Sequence, residues 1–162
     1  MAEDPSSASP SQRETSNPEQ SAAEDLQNIP VLLVEDNETD VFIITEVLAR
    51  CGLRFHLRVA RDGEGALLYL QERERDGNLP VLVLLDLNLP KIRGIEVLRR
   101  IRSGSSWSGI PVVVITSSEN QSDRRAVQSL GADAYFKKPN CLHDYMELGP
   151  IIKRLLPPSR QA

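Results

Sequence analysis

The sequence predicts an α/β protein built as a (βα)5 doubly wound parallel five-stranded sheet. Five short apolar runs alternate with five amphipathic stretches, and the third run is apolar at every position. Strands that alternate with helices of about 10 to 15 residues are typical of a parallel sheet with helices on both faces. A strand covered on both faces is continuously apolar. The chain has 162 residues, which is enough for one domain with a substantial core.

The five predicted βα units follow one another from Ile29 onward. The predicted strands are 29–35, 55–60, 81–86, 111–116 and 133–136, and the predicted helices are 38–51, 63–75, 94–103, 120–130 and 141–156. Apolar residues recur at helical spacing in each helix. Strand 55–60 alternates apolar and polar residues, which indicates a more exposed position. Gly149-Pro150 interrupts the last helix, where an interior proline costs roughly 3 kcal/mol. We therefore expect a kink or two short helices there.

Residues 1–28 differ from the rest in composition. This segment is rich in Ser, Pro, Glu and Ala, and it contains six acidic residues and one basic residue. It offers little apolar surface to bury, which predicts a disordered acidic tail. The folded domain is predicted to span 29–157, followed by a short C-terminal tail, 158–162. The domain is almost neutral, so we expect no nucleic-acid partner, which would require a strongly basic face.

Several other classes of protein are excluded by composition. No apolar stretch approaches the roughly 20 residues that cross a bilayer, and the N-terminus lacks the pattern of a secretory signal. Cys51 and Cys141 have neither metal-ligand spacing nor the arrangement of a disulfide framework. We therefore expect a cytoplasmic protein with no membrane partner.

Charged and hydroxyl side chains follow four of the predicted strands. Glu35-Asp36 follow the first strand and Asp86 the third, Thr116 ends the fourth, and Lys138 follows the fifth. Ligands of open parallel sheets bind at the carboxyl ends of the strands. Two carboxylates about 4 Å apart repel by roughly 4 kcal/mol at an effective dielectric near 20. A divalent cation would relieve this repulsion, and Mg²⁺ prefers carboxylate, water and phosphate oxygens.

This set of side chains favours phosphoryl chemistry. A metal ion, a lysine and a hydroxyl together neutralise the oxygens of a phosphoryl group as charge develops. Asp86 ends the most buried strand, where a carboxylate nucleophile is held most rigidly. The structural alternative is that Glu35 and Asp36 only cap the next helix and that Asp86 is a surface turn residue. We favour the functional interpretation because the residues lie at four strand ends at once.

Four motifs in order resemble the receiver domain of two-component response regulators, the CheY-like family. They are VLLVEDN at 31–37, LDLNLPKIRG at 85–94, PVVVITSS at 111–118 and YFKKP at 135–139. The resemblance covers about residues 29–157. It implies a flavodoxin-like fold with strand order 2-1-3-4-5.

The resemblance implies that Asp86 is the phosphoacceptor for a sensor histidine kinase. Lys138 would pair with the phosphoryl group, and its bond to Pro139 is cis in the family, a conformation realistic only before proline. Thr116 would move toward the phosphoryl oxygens. Tyr135 would change rotamer behind it, so that both residues form the switch.

The resemblance also implies a Mg²⁺ site. Asp36, Asp86 and the backbone carbonyl of Asn88 would bind the metal directly, and Glu35 would act through a water molecule. Asn88 and Ser118 lie where the family tunes dephosphorylation.

The expected function is that of a single-domain response regulator that changes partner binding or dimerisation when phosphorylated. Few residues follow 157, so we expect output through an unidentified downstream protein or a homodimer. The Asp-Leu-Asn-Leu-Pro-Lys stretch is similar to that of regulators paired with phytochrome-type sensor histidine kinases, which implies light signalling. The chain is expected to catalyse only its own phosphorylation and dephosphorylation, and not to be an enzyme otherwise.

Other functions remain open at this point. The chain could be a phosphorelay intermediate, a phosphatase-like phosphate sink, or a degenerate receiver that only binds proteins. The intact Asp86, Thr116 and Lys138 argue against the last. An acid-nucleophile phosphatase or phosphotransferase usually has a second Asp two residues after the nucleophile, where this chain has Asn88.

Five further residues have simple structural interpretations. His56 and His143 are predicted surface residues. The arginines of the third helix are predicted to form a solvated face; they are Arg99, Arg100 and Arg102. Trp107 is either a loop anchor or a contact for a partner, and the sequence favours neither.

Overall fold

The computed structural model describes residues 28–104 and 106–158, which form five parallel strands and six helices. The strands are β1 (Ile29–Val34), β2 (Phe55–Ala60), β3 (Leu82–Leu85), β4 (Val112–Thr116) and β5 (Ala134–Lys137). The helices are α1 (Glu38–Arg50), α2 (Gly63–Arg75), α3 (Gly94–Ser103), α4 (Gln121–Ser129), α5 (Leu142–Tyr145) and α6 (Leu148–Leu155). The sheet order is β2-β1-β3-β4-β5, which confirms the predicted fold.

The burial of each strand follows its place in the sheet. Every residue of β3 and β4 is buried, and the alternating strand β2 lies at an edge. Most predicted bounds are confirmed to within one residue at each end. The predicted N-terminal tail is 1–28, and its residues 1–27 lie outside the described residues. The predicted C-terminal tail is 158–162, and its residues 159–162 lie outside them as well.

Two apolar layers cover the two faces of the sheet. One layer joins the sheet to α2, α3 and α4, and it includes Leu70, Leu98 and Val127. The other joins the sheet to α1, α5 and α6, and it includes Ile44 and Leu148. Successive residues of a strand point to opposite faces, so each buried strand contributes to both layers. This arrangement leaves the carboxyl ends of the strands free to form a site.

The predicted last helix is two short helices. α5 ends at Tyr145 and α6 begins at Leu148, which confirms an interruption but places it before Gly149. Pro150 is the third residue after the N-cap, Glu147. The first four N–H groups of a helix have no partner within the helix, so a proline in the first turn removes no helical hydrogen bond.

Arg102 differs from the prediction of a solvated face. Its guanidinium donates to the carbonyl oxygens of Gly131 at 2.9 Å and Ile110 at 2.8 Å, and to the carboxylate of Asp133 at 2.8 Å. Its side chain is 17% exposed. The prediction was wrong for Arg102 because the last turn of α3 lies beside two turns whose carbonyl groups accept these bonds. The other two arginines are exposed and pair with Glu96, as expected of a solvated face.

Trp107 is half-buried and packs against the layer of α2, α3 and α4. The structure therefore favours the loop-anchor interpretation. His56 and His143 are exposed, as predicted. Among the described residues, no helix is both long and apolar enough to cross a membrane.

Candidate functional site

Three carboxylates lie together at the carboxyl ends of β1 and β3. One oxygen from each of Glu35, Asp36 and Asp86 lies within 4.8 Å of the others. These strands are paired so that Val34 lies opposite Leu85, which places the residues that follow them side by side. Glu35 is 1% exposed, Asp86 is 5% exposed and Asp36 is open to solvent. We call these three residues the carboxylate cluster.

Lys138 brings a positive charge to this cluster. Its ammonium group donates to Glu35 Oε2 at 2.8 Å and to Asp86 Oδ2 at 2.9 Å. A third hydrogen bond goes to Asp40 Oδ2 at 2.8 Å. The backbone N–H of Lys138 donates to the Thr116 carbonyl oxygen at 2.8 Å, which fixes the loop after β5 against the end of β4.

Backbone N–H groups bind the second oxygen of each buried carboxylate. The N–H of Asn37 donates to Glu35 Oε1 at 3.0 Å, and the N–H of Asn88 donates to Asp86 Oδ1 at 3.1 Å. Buried charges are tolerated when they are paired and hydrogen-bonded. Both carboxylates meet this condition, so their positions are defined before any ligand binds.

The cluster keeps an excess of negative charge. Burial raises the pKa of Glu35 from 4.5 to about 7, and the charge of Asp86 adds to this increase. The hydrogen bonds from Lys138 and Asn37 lower the pKa of Glu35 without offsetting burial. Burial lowers the pKa of Lys138, but its bonds to Asp40, Glu35 and Asp86 outweigh burial and hold this pKa well above its ordinary value. One ammonium group therefore stays charged among several carboxylates.

The donor set fits a hard divalent cation. Glu35, Asp36 and Asp86 supply only carboxylate oxygens, the ligands that Mg²⁺ and similar ions prefer. The negative charge that Lys138 leaves unpaired favours such an ion. Asp36 is exposed, so water or a phosphate oxygen can reach the same place.

A second group of predicted residues lies beside the end of β4. Thr116 is fully buried, and its Oγ1 accepts the backbone N–H of Ser118 at 3.2 Å. The Tyr135 hydroxyl donates to the Ser118 carbonyl oxygen at 3.1 Å, and the Ser118 hydroxyl donates to Asp123 Oδ2 at 2.8 Å. The guanidinium of Arg124 lies 5.2 Å from the centre of the Tyr135 ring. Thr116 and Tyr135 are thus linked through Ser118.

The Lys138–Pro139 peptide bond differs from the expectation that the resemblance implied. All described peptide bonds are trans, this one included. Trans is the intrinsically preferred state of a bond that precedes proline. The predicted ligand role of the Asn88 carbonyl and the predicted effects of Asn88 and Ser118 on dephosphorylation stay predictions.

Sequence reasoning missed Asp40 and Tyr145. Asp40 lies in the first turn of α1, and Tyr145 ends α5 and donates its hydroxyl to Asp40 Oδ1 at 3.3 Å. Acidic residues are common in the first turn of any helix because they stabilise its N-terminus, which hid the role of Asp40. The one available signal was its place in the first turn of the helix that follows Glu35-Asp36, which lies at the carboxyl end of β1.

Comparison with known proteins identifies the family of this chain. Residues 31–148 match the response regulator receiver domain. The chain belongs to this family. The match includes the carboxylate cluster, Lys138 and Tyr145.

Two curated relatives show the extent of the similarity. The probable methanogenesis regulatory protein FilR2 of Methanothrix harundinacea is 41% identical over 115 residues, which are 70% of this chain and 74% of that protein. The response regulator Rcp1 of Synechocystis sp. is 39% identical over 120 residues, 73% of this chain and 82% of Rcp1.

Solved structures of phytochrome response regulators share the fold. The phosphorylated cyanobacterial phytochrome response regulator RcpA has a TM-score of 0.73 and 34% identity, over 80% of this chain and 94% of RcpA. The Mn²⁺-bound form of Rcp1 has a TM-score of 0.69 and 38% identity, over 76% of this chain and 91% of that one. The bacteriophytochrome response regulator RtBRR has a TM-score of 0.65 and 40% identity, over 74% of this chain and 75% of RtBRR. The chain is a receiver domain homologous to these regulators.

Proposed function

We propose that Asp86 accepts a phosphoryl group from a sensor histidine kinase in a Mg²⁺-dependent reaction. The observation that carries this proposal is the environment of Asp86. Its buried carboxylate directly follows the central strand β3, lies within the carboxylate cluster and accepts a hydrogen bond from Lys138. A nucleophile, a cation site and a fixed ammonium group thus share one location.

The residues support a direct transfer of the phosphoryl group. A carboxylate oxygen of Asp86 attacks phosphorus while the bond from phosphorus to the kinase histidine nitrogen breaks. The bonding electron pair stays on that nitrogen, and a histidine whose other ring nitrogen already carries a proton leaves as neutral imidazole. Lys138 lies where it can neutralise phosphoryl oxygens. Asp36, Asp86 and the backbone carbonyl of Asn88 would hold Mg²⁺ directly, and Glu35 would hold it through a water molecule. The ion supplies further neutralisation of these oxygens when bound.

The group at the end of β4 supports a switch. Thr116 would turn toward the phosphoryl oxygens, and the link through Ser118 would carry this movement to Tyr135. Asn88 and Ser118 flank the site and would tune the lifetime of the phosphoryl group. Asn88 lacks the carboxyl group that an acid-nucleophile phosphatase would use, so self-phosphorylation and self-dephosphorylation are the proposed chemistry.

The names of its homologues support a place in phytochrome signalling. RcpA is named as a phytochrome response regulator and RtBRR as a bacteriophytochrome response regulator, and we extend a phytochrome-type kinase to this chain. The switched form would bind a downstream protein or a second copy of itself in the cytoplasm.

The test is phosphorylation by a small acyl phosphate, which needs no kinase. Protein with Mg²⁺ and acetyl phosphate should show a phosphoryl adduct by intact mass that is stable in acid and lost in alkali. Asp86→Asn should show none, whereas Asp76→Asn, which alters a surface aspartate paired with Arg73, should match the wild type. Chelation of Mg²⁺ should abolish the adduct. An equal adduct in Asp86→Asn would refute the assignment of the acceptor.

A further inference from the structure

The carboxylate of Asp40 joins the acceptor site to α5. Asp40 Oδ2 accepts from the Lys138 ammonium at 2.8 Å, and Asp40 Oδ1 accepts from the Tyr145 hydroxyl at 3.3 Å. These bonds connect residues that lie 98 and 105 positions apart in the chain. The Asp40 side chain is 22% exposed and Tyr145 is 4% exposed, so the link is largely shielded from water.

The hydrogen bonds of Lys138 leave no donor to spare. An ammonium group has three N–H donors, and these three bonds go to Glu35, Asp40 and Asp86. A phosphoryl oxygen can therefore bind Lys138 only by replacing one of the acceptors. Glu35 and Asp86 belong to the carboxylate cluster, whereas Asp40 does not. Asp40 is thus the acceptor that can stay in place when Asp86 is modified.

Tyr145 is buried against β5, where it donates to Asp40. Its ring lies 6.0 Å from that of Phe136, centre to centre, and it shares an apolar layer with Leu148 and Ile152. Phe136 precedes Lys138 by two residues on β5. The tyrosine therefore contacts both the strand that Lys138 directly follows and the carboxylate that accepts a hydrogen bond from Lys138.

We propose that Asp40 is a positioning residue for phosphoryl transfer to Asp86, held in place by Tyr145. Asp40 keeps the Lys138 ammonium at the site while the bond from Lys138 to Asp86 is exchanged for one to a phosphoryl oxygen. Asp40 and Tyr145 form and break no covalent bond. This inference rests on the function proposed above and adds two residues to it.

The first measurement follows Lys138 without any phosphoryl donor. The chain has four lysines, so the Lys138 ammonium can be assigned in ¹⁵N spectra with Lys138→Arg. Exchange of its protons with water should rise about tenfold in Asp40→Asn, as expected for direct loss of a charged hydrogen bond to Lys138. It should rise about threefold in Tyr145→Phe, where Asp40 remains but loses the hydroxyl that holds it. Two matched controls should leave it unchanged. Glu46→Gln removes a charge from α1, and Tyr69→Phe removes a hydroxyl from α2.

The second measurement is the rate of acetyl phosphate labelling at saturating Mg²⁺. The maximal rate should fall about tenfold in Asp40→Asn and about threefold in Tyr145→Phe. The Mg²⁺ concentration at half-saturation should change far less, because Asp40 is outside the carboxylate cluster.

The outcomes separate this inference from the proposed function. Asp40→Asn and Tyr145→Phe could both melt at a lower temperature and still match the wild type in acetyl phosphate labelling and in exchange of the Lys138 protons. Asp40 and Tyr145 would then be merely structural, and the inference would be wrong. If the wild type takes no phosphoryl group at Asp86, the proposed function fails and a role in transfer fails with it. The exchange rates then still decide whether Asp40 and Tyr145 hold Lys138.

Discussion

Glu35 is the residue whose ionisation most clearly reflects the crowding of carboxylates at this site. It is almost fully buried beside Asp86, and a single ammonium group serves both. In the absence of a divalent cation, burial therefore outweighs the favourable bond to Lys138 and raises the pKa of Glu35. The site is preformed, but its charge is balanced only when a cation or a proton is present.

Stability should depend on pH through Glu35. Its pKa is 4.5 in an unfolded chain and about 7 in the folded protein, so the unfolded state ionises first as pH rises. The free energy of unfolding should therefore fall between pH 4.5 and 7, by up to about 3 kcal/mol at about 1.4 kcal/mol per pH unit. Urea unfolding in EDTA, compared with Glu35→Gln, measures this difference.

The contribution of Glu35 is present in full below pH 4.5 and is lost by about pH 7. Added Mg²⁺ should reduce the loss, because a cation favours the ionised carboxylate. If the free energy of unfolding changed with pH in the same way in the wild type and in Glu35→Gln, this account would be contradicted.

Lys138 should be important for stability as well as for chemistry. Lys138→Met keeps an apolar stem but leaves Glu35 and Asp86 buried without their cation. Removing one partner of a buried ion pair costs about 3 to 5 kcal/mol, and urea unfolding in EDTA should show a loss of this size. Mg²⁺ should restore part of the stability.

The neighbouring lysine provides a matched control. Lys137 is exposed and pairs with Glu119 on the surface, where such pairs contribute about 0 to 1 kcal/mol. Lys137→Met should therefore unfold close to the wild type. Equal midpoints of urea unfolding for Lys138→Met and Lys137→Met would show that the hydrogen bonds of Lys138 contribute little to stability.

At the scale of elements, the loop between β3 and α3 positions Asp86, the proposed acceptor, by close backbone contact. The N–H of Gly94 donates to the Leu87 carbonyl oxygen at 3.0 Å, so the loop closes on itself just after Asp86. A Cβ atom at Gly94 would lie 2.0 Å from the backbone oxygen of Asp86. Only glycine allows α3 to begin this close to the acceptor.

Gly94→Ala should therefore destabilise the protein by about 3 kcal/mol, as overpacking against fixed backbone does, and should slow acetyl phosphate labelling. Gly109→Ala is the matched control, since no atom lies within 4 Å of its added Cβ. Denaturant unfolding and labelling rates of the two variants test this. If Gly94→Ala were as stable as Gly109→Ala and were labelled by acetyl phosphate at the same rate, the close contact between Gly94 and the backbone of Asp86 would be refuted.

At the scale of the whole molecule, the proposed switch requires a structural connection from Asp86 to a surface. Thr116, Ser118 and Tyr135 connect the acceptor end of the sheet to its β5 edge. If phosphorylation moves this connection, the surface around β5 changes with it.

We expect phosphorylation to increase the fraction of homodimer. Light scattering after size exclusion, with and without acetyl phosphate and Mg²⁺, measures this fraction. Asp86→Asn should keep one size under both conditions. An unchanged size in a wild type shown by mass to be labelled would rule out dimerisation as the output.

Much of this molecule was determined by the sequence alone. Alternating apolar and amphipathic runs predicted the elements, because strand and helix periods depend on neighbours a few residues away. The acids Glu35, Asp36 and Asp86 and the base Lys138 could be placed in one site, since they follow strands whose carboxyl ends share an edge.

Only the tertiary structure decided the parts of the site that depend on helix packing. Asp40 meets Lys138, and Tyr145 meets Asp40, because α1 and α5 pack on the same face of the sheet. The bonds of Arg102 to carbonyl groups 8 and 29 residues away likewise depend on how the following loops pack against α3. The periodicity of the sequence predicts which face of a helix a residue lies on. It does not predict which residue, about a hundred positions away, that side chain contacts, because the packing of the helices on the sheet decides this.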